Sequence, residues 1–273
     1  MAQTPKPDPD ALAAARAQMR IDLAACHRLA AQFGMTDLIY THISARVPGA
    51  EDQFLINPFG LLFDEVRADN LVTVGADGEL LDDPTGLGIN RAGFVIHSAV
   101  HQARPDAVCV MHTHTLAGVA VSALRDGLLP YTQHAARFQG RVGYHAYEGV
   151  AVDLDERARL VRDLGPHKAL MLRNHGLLTC GATVGEAFEL MYFLEFACRA
   201  QLQIQATGQA VAVPDRDAIL RAAQTFDRAA GRSSPRLWQA LLRGLDRTDP
   251  TYRHLPTPAA GALTGQDSLL EHS

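Results

Sequence analysis

Two histidines one residue apart, His112 and His114 in VCVMHTHT, close a short apolar run. If that run is a strand, residues i and i+2 face the same side, and both imidazoles converge on one point. Neutral imidazole nitrogens hold zinc and similar divalent ions at about 2.0–2.1 Å, so the pair offers two ligands. A third must come from elsewhere in the chain. His175 offers it from the turn Asn174-His175-Gly176, where a glycine permits unusual backbone angles. A rival pair, His97 and His101, has the i, i+4 spacing that puts both on one helix face. Spacing alone does not choose between the pairs, and an HxH also occurs as buried histidines satisfied by other protein groups.

The elements that must hold these residues follow from pattern. The first ten residues carry three prolines and no apolar period, and read as a disordered tail. DALAAARAQMRIDLAACHRLAAQFG reads as a helix, with Asp10 as its N-cap and Gly34 just past its end. LIYTHISARV and FLINPFGLLF have the β-branched and aromatic content of strands, and LVTVGADGELL that of a hairpin. A helix from about Arg91 to Arg104 stops before Pro105. AVCVMHTH is a short apolar run of buried-strand type. KALMLRNHGLLTCG gives strand, sharp turn and strand, and the longest helix runs from about Val184 to Ala206. DRDAILRAAQTFDRAA is helical again. With no internal repeat, this is one α/β domain over residues 11–245, with 246–273 a loosely ordered Pro/Thr/Gly-rich tail.

Composition excludes several classes of function. At 47% hydrophobic and 20% charged residues, the 273-residue chain is neither mainly disordered nor a long coiled coil. Its net charge of −5 argues against a polyanion-binding surface, hence against nucleic acid. No apolar run approaches the roughly 18 residues of a membrane-spanning helix, and MAQTPKPDPD lacks the pattern of a signal peptide. Cys26, Cys109, Cys180 and Cys198 are far apart with no CxxC spacing. They read as buried free thiols in a reducing compartment, so the expected location is the cytoplasm.

THISARV, FLINPFGLLF, AGFVIHSAVHQARPDAVCVMHTHT and LMLRNHGLLTCG, in this order and spacing, resemble the class II aldolase/adducin family. The likeness covers roughly residues 11–210 and is greater to the adducin head domain than to the sugar-phosphate aldolases, most plainly in INPFGLLFDEV and GFVIHSAVHQARPD. It implies an α/β fold with a central, mostly antiparallel sheet flanked by helices. It also implies that His112, His114 and His175 bind a divalent metal, zinc by preference and manganese or iron otherwise. A homotetramer with its active site between subunits is a further implication.

The pattern departs where the family aldolases carry an acidic residue, nineteen positions before the first metal histidine. Gly93 stands there. Positions that help bind phosphate in the sugar-phosphate members match Arg91, Ala92, His42 and Phe59, so a phosphorylated sugar is not the expected substrate. Arg91, His42 and Asn57 are the candidate substrate-binding residues, Arg91 as a bidentate carboxylate partner. Candidates for proton transfer are His134, Tyr144 and Glu148, in a turn-rich stretch between the metal histidines. His97, one turn after Gly93, is a candidate to complete the metal shell or to brace a ligand.

The expected activity is that of a metal-dependent lyase, of aldolase or decarboxylase type. Its substrate would be a small non-phosphorylated hydroxy-carbonyl or keto acid, cleaved through a metal-stabilised enolate. An iron oxygenase on the same fold and a non-catalytic, adducin-like assembly domain are the alternatives. Adducin's long basic tail has no counterpart in the sequence.

Overall fold

The computed structural model describes residues 8–149 and 156–256. In chain order the elements are α1 (Pro9–Gln32), β1 (His42–Val47), β2 (Ala50–Ile56), β3 (Val72–Gly75), β4 (Leu80–Asp82), α2 (Arg91–Ala103) and β5 (Cys109–Thr113). They continue with α3 (Leu116–Ala123), α4 (Gln133–Ala136), β6 (Val142–His145), α5 (Glu156–Leu164), β7 (Ala169–Leu172), β8 (Gly176–Gly181), α6 (Val184–Ala206) and α7 (Arg216–Thr248). The strands form one sheet in the order β4-β3-β2-β1-β5-β8-β7-β6. Every neighbouring pair is antiparallel except β6 and β7. The mostly antiparallel α/β fold expected from the sequence is therefore the one observed.

Period-2 alternation sorts the central strands between two cores. Ile43, Ala45, Cys109, Met111 and Leu177 join the apolar cluster that α1 and α6 cover. Val110, Leu170, Leu172, Leu178 and Cys180 join a second cluster with Ile96 and Val100 of α2 and Leu160 and Leu164 of α5. The same alternation turns His112 toward α2. In the β1–β5 register His42 lies opposite His112, and Ser44 opposite Val110. Polar residues of two central strands thus sit beneath α2, the helix that carries His97 and His101. All four cysteines are buried and free. No helix among the described residues is long and apolar enough to cross a membrane.

Several boundaries differ from the sequence reading. The α1 N-cap is Asp8, whose carboxylate accepts from Asp10 N at 3.2 Å, and Pro9 already begins the helix. Residues 1–7 of the expected tail lie outside the described residues. FLINPFGLLF is a strand only to Ile56; beyond Asn57 the chain turns and enters a 3₁₀ helix at Phe63–Glu65. The helix read at DRDAILRAAQTFDRAA runs on to Thr248, straight through Pro235. Proline disfavours a helix interior by removing a donor, but Trp238, Leu242 and Leu245 beyond it are buried in the main core. Tertiary burial outweighs the local penalty. Past residue 245, Pro250–Arg253 form a 3₁₀ helix whose Tyr252 is fully buried, its hydroxyl donating to Asp246 at 2.7 Å. Of the expected C-terminal tail, residues 257–273 lie outside the described residues.

Candidate functional site

β5 delivers His112 to its C-terminal end, and His114 follows as the strand stops. The β7–β8 connection brings His175. Asn174 there takes φ +57, the left-handed region that asparagine tolerates. At Gly176 an added Cβ would overlap the Thr113 carbonyl, so glycine lets β8 approach the metal-side end of β5. The ligand atoms of His112, His114 and His175 lie within 4.8 Å of one another. Among the described residues this is the one such cluster of three potential ligands.

The outer contacts of the imidazoles fix their tautomers. His112 Nδ1 meets the Leu177 carbonyl at 2.9 Å, and His114 Nδ1 meets the Asp37 carboxylate at 3.0 Å. Both partners only accept, so both Nδ1 atoms carry a hydrogen, and with the rings neutral, as metal binding requires, both Nε2 atoms are bare. Those Nε2 atoms face each other at 2.8 Å, and His175 Nε2 lies 3.0 Å from that of His114. Burial holds His112 well below the usual histidine range, and burial followed by the nearby His114 pushes His175 down to about 4. Converging neutral lone pairs repel unless a cation sits between them. The donor set and its outer partners therefore fit a divalent ion of the zinc type.

Beside the triad opens a cavity of about 400 Å³, lined by His42, Phe59, Asn90, Gly93 and Tyr147 among others. Asn90 caps α2 there, its side chain accepting from Ala92 N at 3.1 Å and Gly93 N at 3.4 Å. His42 is buried in the wall. Its Nδ1 lies 2.8 Å from His97 Nε2; His97 Nδ1 lies 2.6 Å from Ser44 Oγ; Ser44 Oγ lies 2.8 Å from His101 Nε2; and His101 Nδ1 lies 3.0 Å from the Ala107 carbonyl. The i, i+4 pair of α2 thus spends all four ring nitrogens on this chain and has none left for a metal. Burial keeps His42 and His97 well below the ordinary range and takes His101 to about 3.

The other candidates are more scattered. Asn57 is a buried backbone brace, accepting from Ile43 N at 3.2 Å and donating to the Thr41 carbonyl at 3.4 Å. Arg91 is exposed at the first position of α2, while its neighbours Asn90, Ala92 and Gly93 line the cavity. His134 stacks on Phe193 and meets the edge of Phe196, with ring centroids 4.9 and 4.7 Å away, against α6 rather than the triad. The Tyr144 hydroxyl accepts from Leu128 N at 3.1 Å, and Arg173 covers its ring at 4.4 Å. Glu148 borders a small recess shared with His175, but its carboxylate is held by Arg159 at 2.8 and 2.5 Å. Within one chain, the structure does not bring His134 or Tyr144 to the triad. Asp37, Asn90 and Tyr147 were missed by sequence reasoning; they come from loops and a helix cap, where no period marks them.

The model of the class II aldolase and adducin N-terminal domain matches residues 21–202. A crystal structure of an aldolase II superfamily protein from Pseudomonas syringae is 51% identical, with a TM-score of 0.85 over 91% of this chain and 98% of that one. An L-fuculose 1-phosphate aldolase from Glaciozyma antarctica is 28% identical, with a TM-score of 0.79 over 92% and 97% of the two chains. Alpha-adducin from Rattus norvegicus is 42% identical over 257 residues, 86% of this chain but 34% of that protein.

Proposed function

The chain belongs to the class II aldolase and adducin family, and on that premise we propose that it is a divalent-metal-dependent carbon–carbon lyase. Its substrate is a small, non-phosphorylated hydroxy-carbonyl compound or keto acid. The observation that carries this reading is the convergence of three imidazole nitrogens at the edge of an open cavity. His112, His114 and His175 hold the ion, zinc first and manganese or iron as alternatives. Asp37 and the Leu177 carbonyl orient two of the three rings from behind. When bound, the ion supplies Lewis-acid stabilisation of negative charge developing on a substrate oxygen.

The cavity wall argues for the substrate class. Phe59 offers an aromatic ring, and burial keeps His42 uncharged. Neither is a phosphate donor, and Arg91 stands outside the lining. Leu116, 87% exposed two residues after His114, suits a second copy of the chain packed near the site, in line with a homotetramer whose active site lies between subunits. Four buried free thiols suit a reducing, cytoplasmic setting.

The test loads metal-free protein anaerobically with zinc, manganese or Fe(II), then follows cleavage and CO₂ release from a panel of hydroxy acids, keto acids and hydroxy-carbonyls by NMR. Metal-dependent turnover of at least one member, lost in His112→Ala and His175→Ala, supports the reading. Turnover only with Fe(II) and oxygen would instead indicate an oxygenase. A non-catalytic assembly domain is the second reading, favoured by the likeness to alpha-adducin. It gains if no panel member turns over and both alanine variants assemble like the wild type.

A further inference from the structure

We infer that His42 presents its bare Nε2 to the cavity as the acceptor for a substrate hydroxyl, and so selects hydroxyl-bearing ligands against oxyanions at that point. The inference rests on the proposed use of the cavity and assigns its polar wall. The buried chain of hydrogen bonds ends on a backbone carbonyl. The Ala107 carbonyl can only accept, so His101 Nδ1 carries a hydrogen and His101 Nε2 does not. The Ser44 hydroxyl must then donate to His101 Nε2. With its one hydrogen spent, Ser44 Oγ accepts from His97 Nδ1. His97 Nε2 is consequently bare and accepts from His42 Nδ1. The last nitrogen, His42 Nε2, is left with a lone pair.

With every ring neutral, no other arrangement satisfies the chain. Reversing any link puts two lone pairs or two hydrogens face to face, in a region where burial makes an unpaired polar group costly. Three residues whose side chains avoid the metal triad therefore fix the tautomer of the fourth.

Gly93 gives that lone pair its place. A Cβ built on Gly93 would overlap His42 at Cδ2 and Nε2, so the imidazole edge occupies the space that a side chain at the start of α2 would fill. Both residues line the cavity, and the His42 ring lies 5.1 Å from that of His112. A ligand that reaches the triad passes against this edge. A hydroxyl can donate to it. A phosphate or carboxylate oxygen would meet it lone pair to lone pair.

The tautomer is read first, in metal-free wild-type protein, by long-range ¹H–¹⁵N correlations that distinguish protonated from bare ring nitrogens. His42, His97 and His101 are expected with the hydrogen on Nδ1; a hydrogen on His42 Nε2 overturns the inference. Ser44→Ala cuts the chain, and His42 should then populate both tautomers. Lactate, which carries a hydroxyl, and pyruvate, which does not, are the probes for calorimetric titration of zinc-loaded protein. Lactate should bind the wild type more tightly, and His42→Phe should cost it about tenfold, some 1.4 kcal/mol, while leaving pyruvate unchanged. Equal binding of the two probes, equal losses, or no binding of either contradicts the assignment. Failure to take up zinc counts against the preceding proposal alone, because the tautomer is measured without metal.

Discussion

Replacing Gly93 with alanine adds one methyl group where the structure leaves no room for it. Within a helix the exchange ordinarily stabilises by up to about 1 kcal/mol, because glycine is the poorer helix former. Here the new Cβ overlaps the His42 ring at Cδ2 and Nε2, and the ring is buried under α2 and tied to His97 at 2.8 Å. Overpacking of this kind costs about 1–3 kcal/mol, and loss of the His42–His97 hydrogen bond about 1 kcal/mol more. The net expectation is a destabilisation of about 1–3 kcal/mol. At roughly 2–4 °C per kcal/mol for a domain near this size, Tm should fall by about 2–12 °C. A double-mutant cycle with His42→Ala, measured by urea unfolding, isolates the cause. In the His42→Ala background the methyl group has space, so Gly93→Ala should there be neutral or stabilising, with a coupling of at least about 1 kcal/mol. If Gly93→Ala is no less stable than the native protein, or costs the same in both backgrounds, the steric pairing of Gly93 with His42 is wrong.

Acid should weaken the metal-free fold. Burial takes His27 from an ordinary 6.5 to about 4 and His101 to about 3. Between those values and 6.5 the unfolded chain binds more protons than the native one, so stability is full above about pH 6.5 and falls as pH drops toward 4. Each such histidine contributes a slope of at most about 1.4 kcal/mol per pH unit, and urea midpoints that stay flat from pH 7.5 to 5 would refute this. Tyr252→Ala should cost about 3–5 kcal/mol, as for other fully buried aromatics. A loss under 1 kcal/mol would show that the 3₁₀ helix after α7 is not part of the folded unit.

Much of the frame was legible because burial writes a period into the sequence. Val184 to Ala206 reads as a helix and is one, and the hairpin LVTVGADGELL becomes β3 and β4. The convergence of His112, on β5, with His114, just past its end, follows from the same period. What could not be read is long-range. Pro235 argues locally against the second half of α7, yet Trp238 is held in the core by residues far away in the chain. His97 and His101 have ligand spacing, but Ser44 on β1 and Ala107 in the connection after α2 claim their nitrogens. The vacancy at Gly93 was visible in the sequence; that a histidine 51 positions earlier fills it depends on β1 lying directly beneath α2. For His134 and Tyr144, turn-rich surroundings suggested a site loop, whereas aromatic packing and a backbone amide occupy them within the chain.

The metal centre is tested most directly by the stoichiometry and location of bound zinc. Metal-free protein is offered a small excess of zinc, desalted and analysed for metal per chain, with His112→Ala/His114→Ala and His97→Ala/His101→Ala measured alongside. Close to one ion per chain is expected in the wild type, nearly none in the first variant, and retention in the second provided it remains folded. No uptake by the wild type, even with manganese or Fe(II) in place of zinc, would contradict it. So would retention by the His112/His114 variant with loss from the His97/His101 variant, which would move the site to α2.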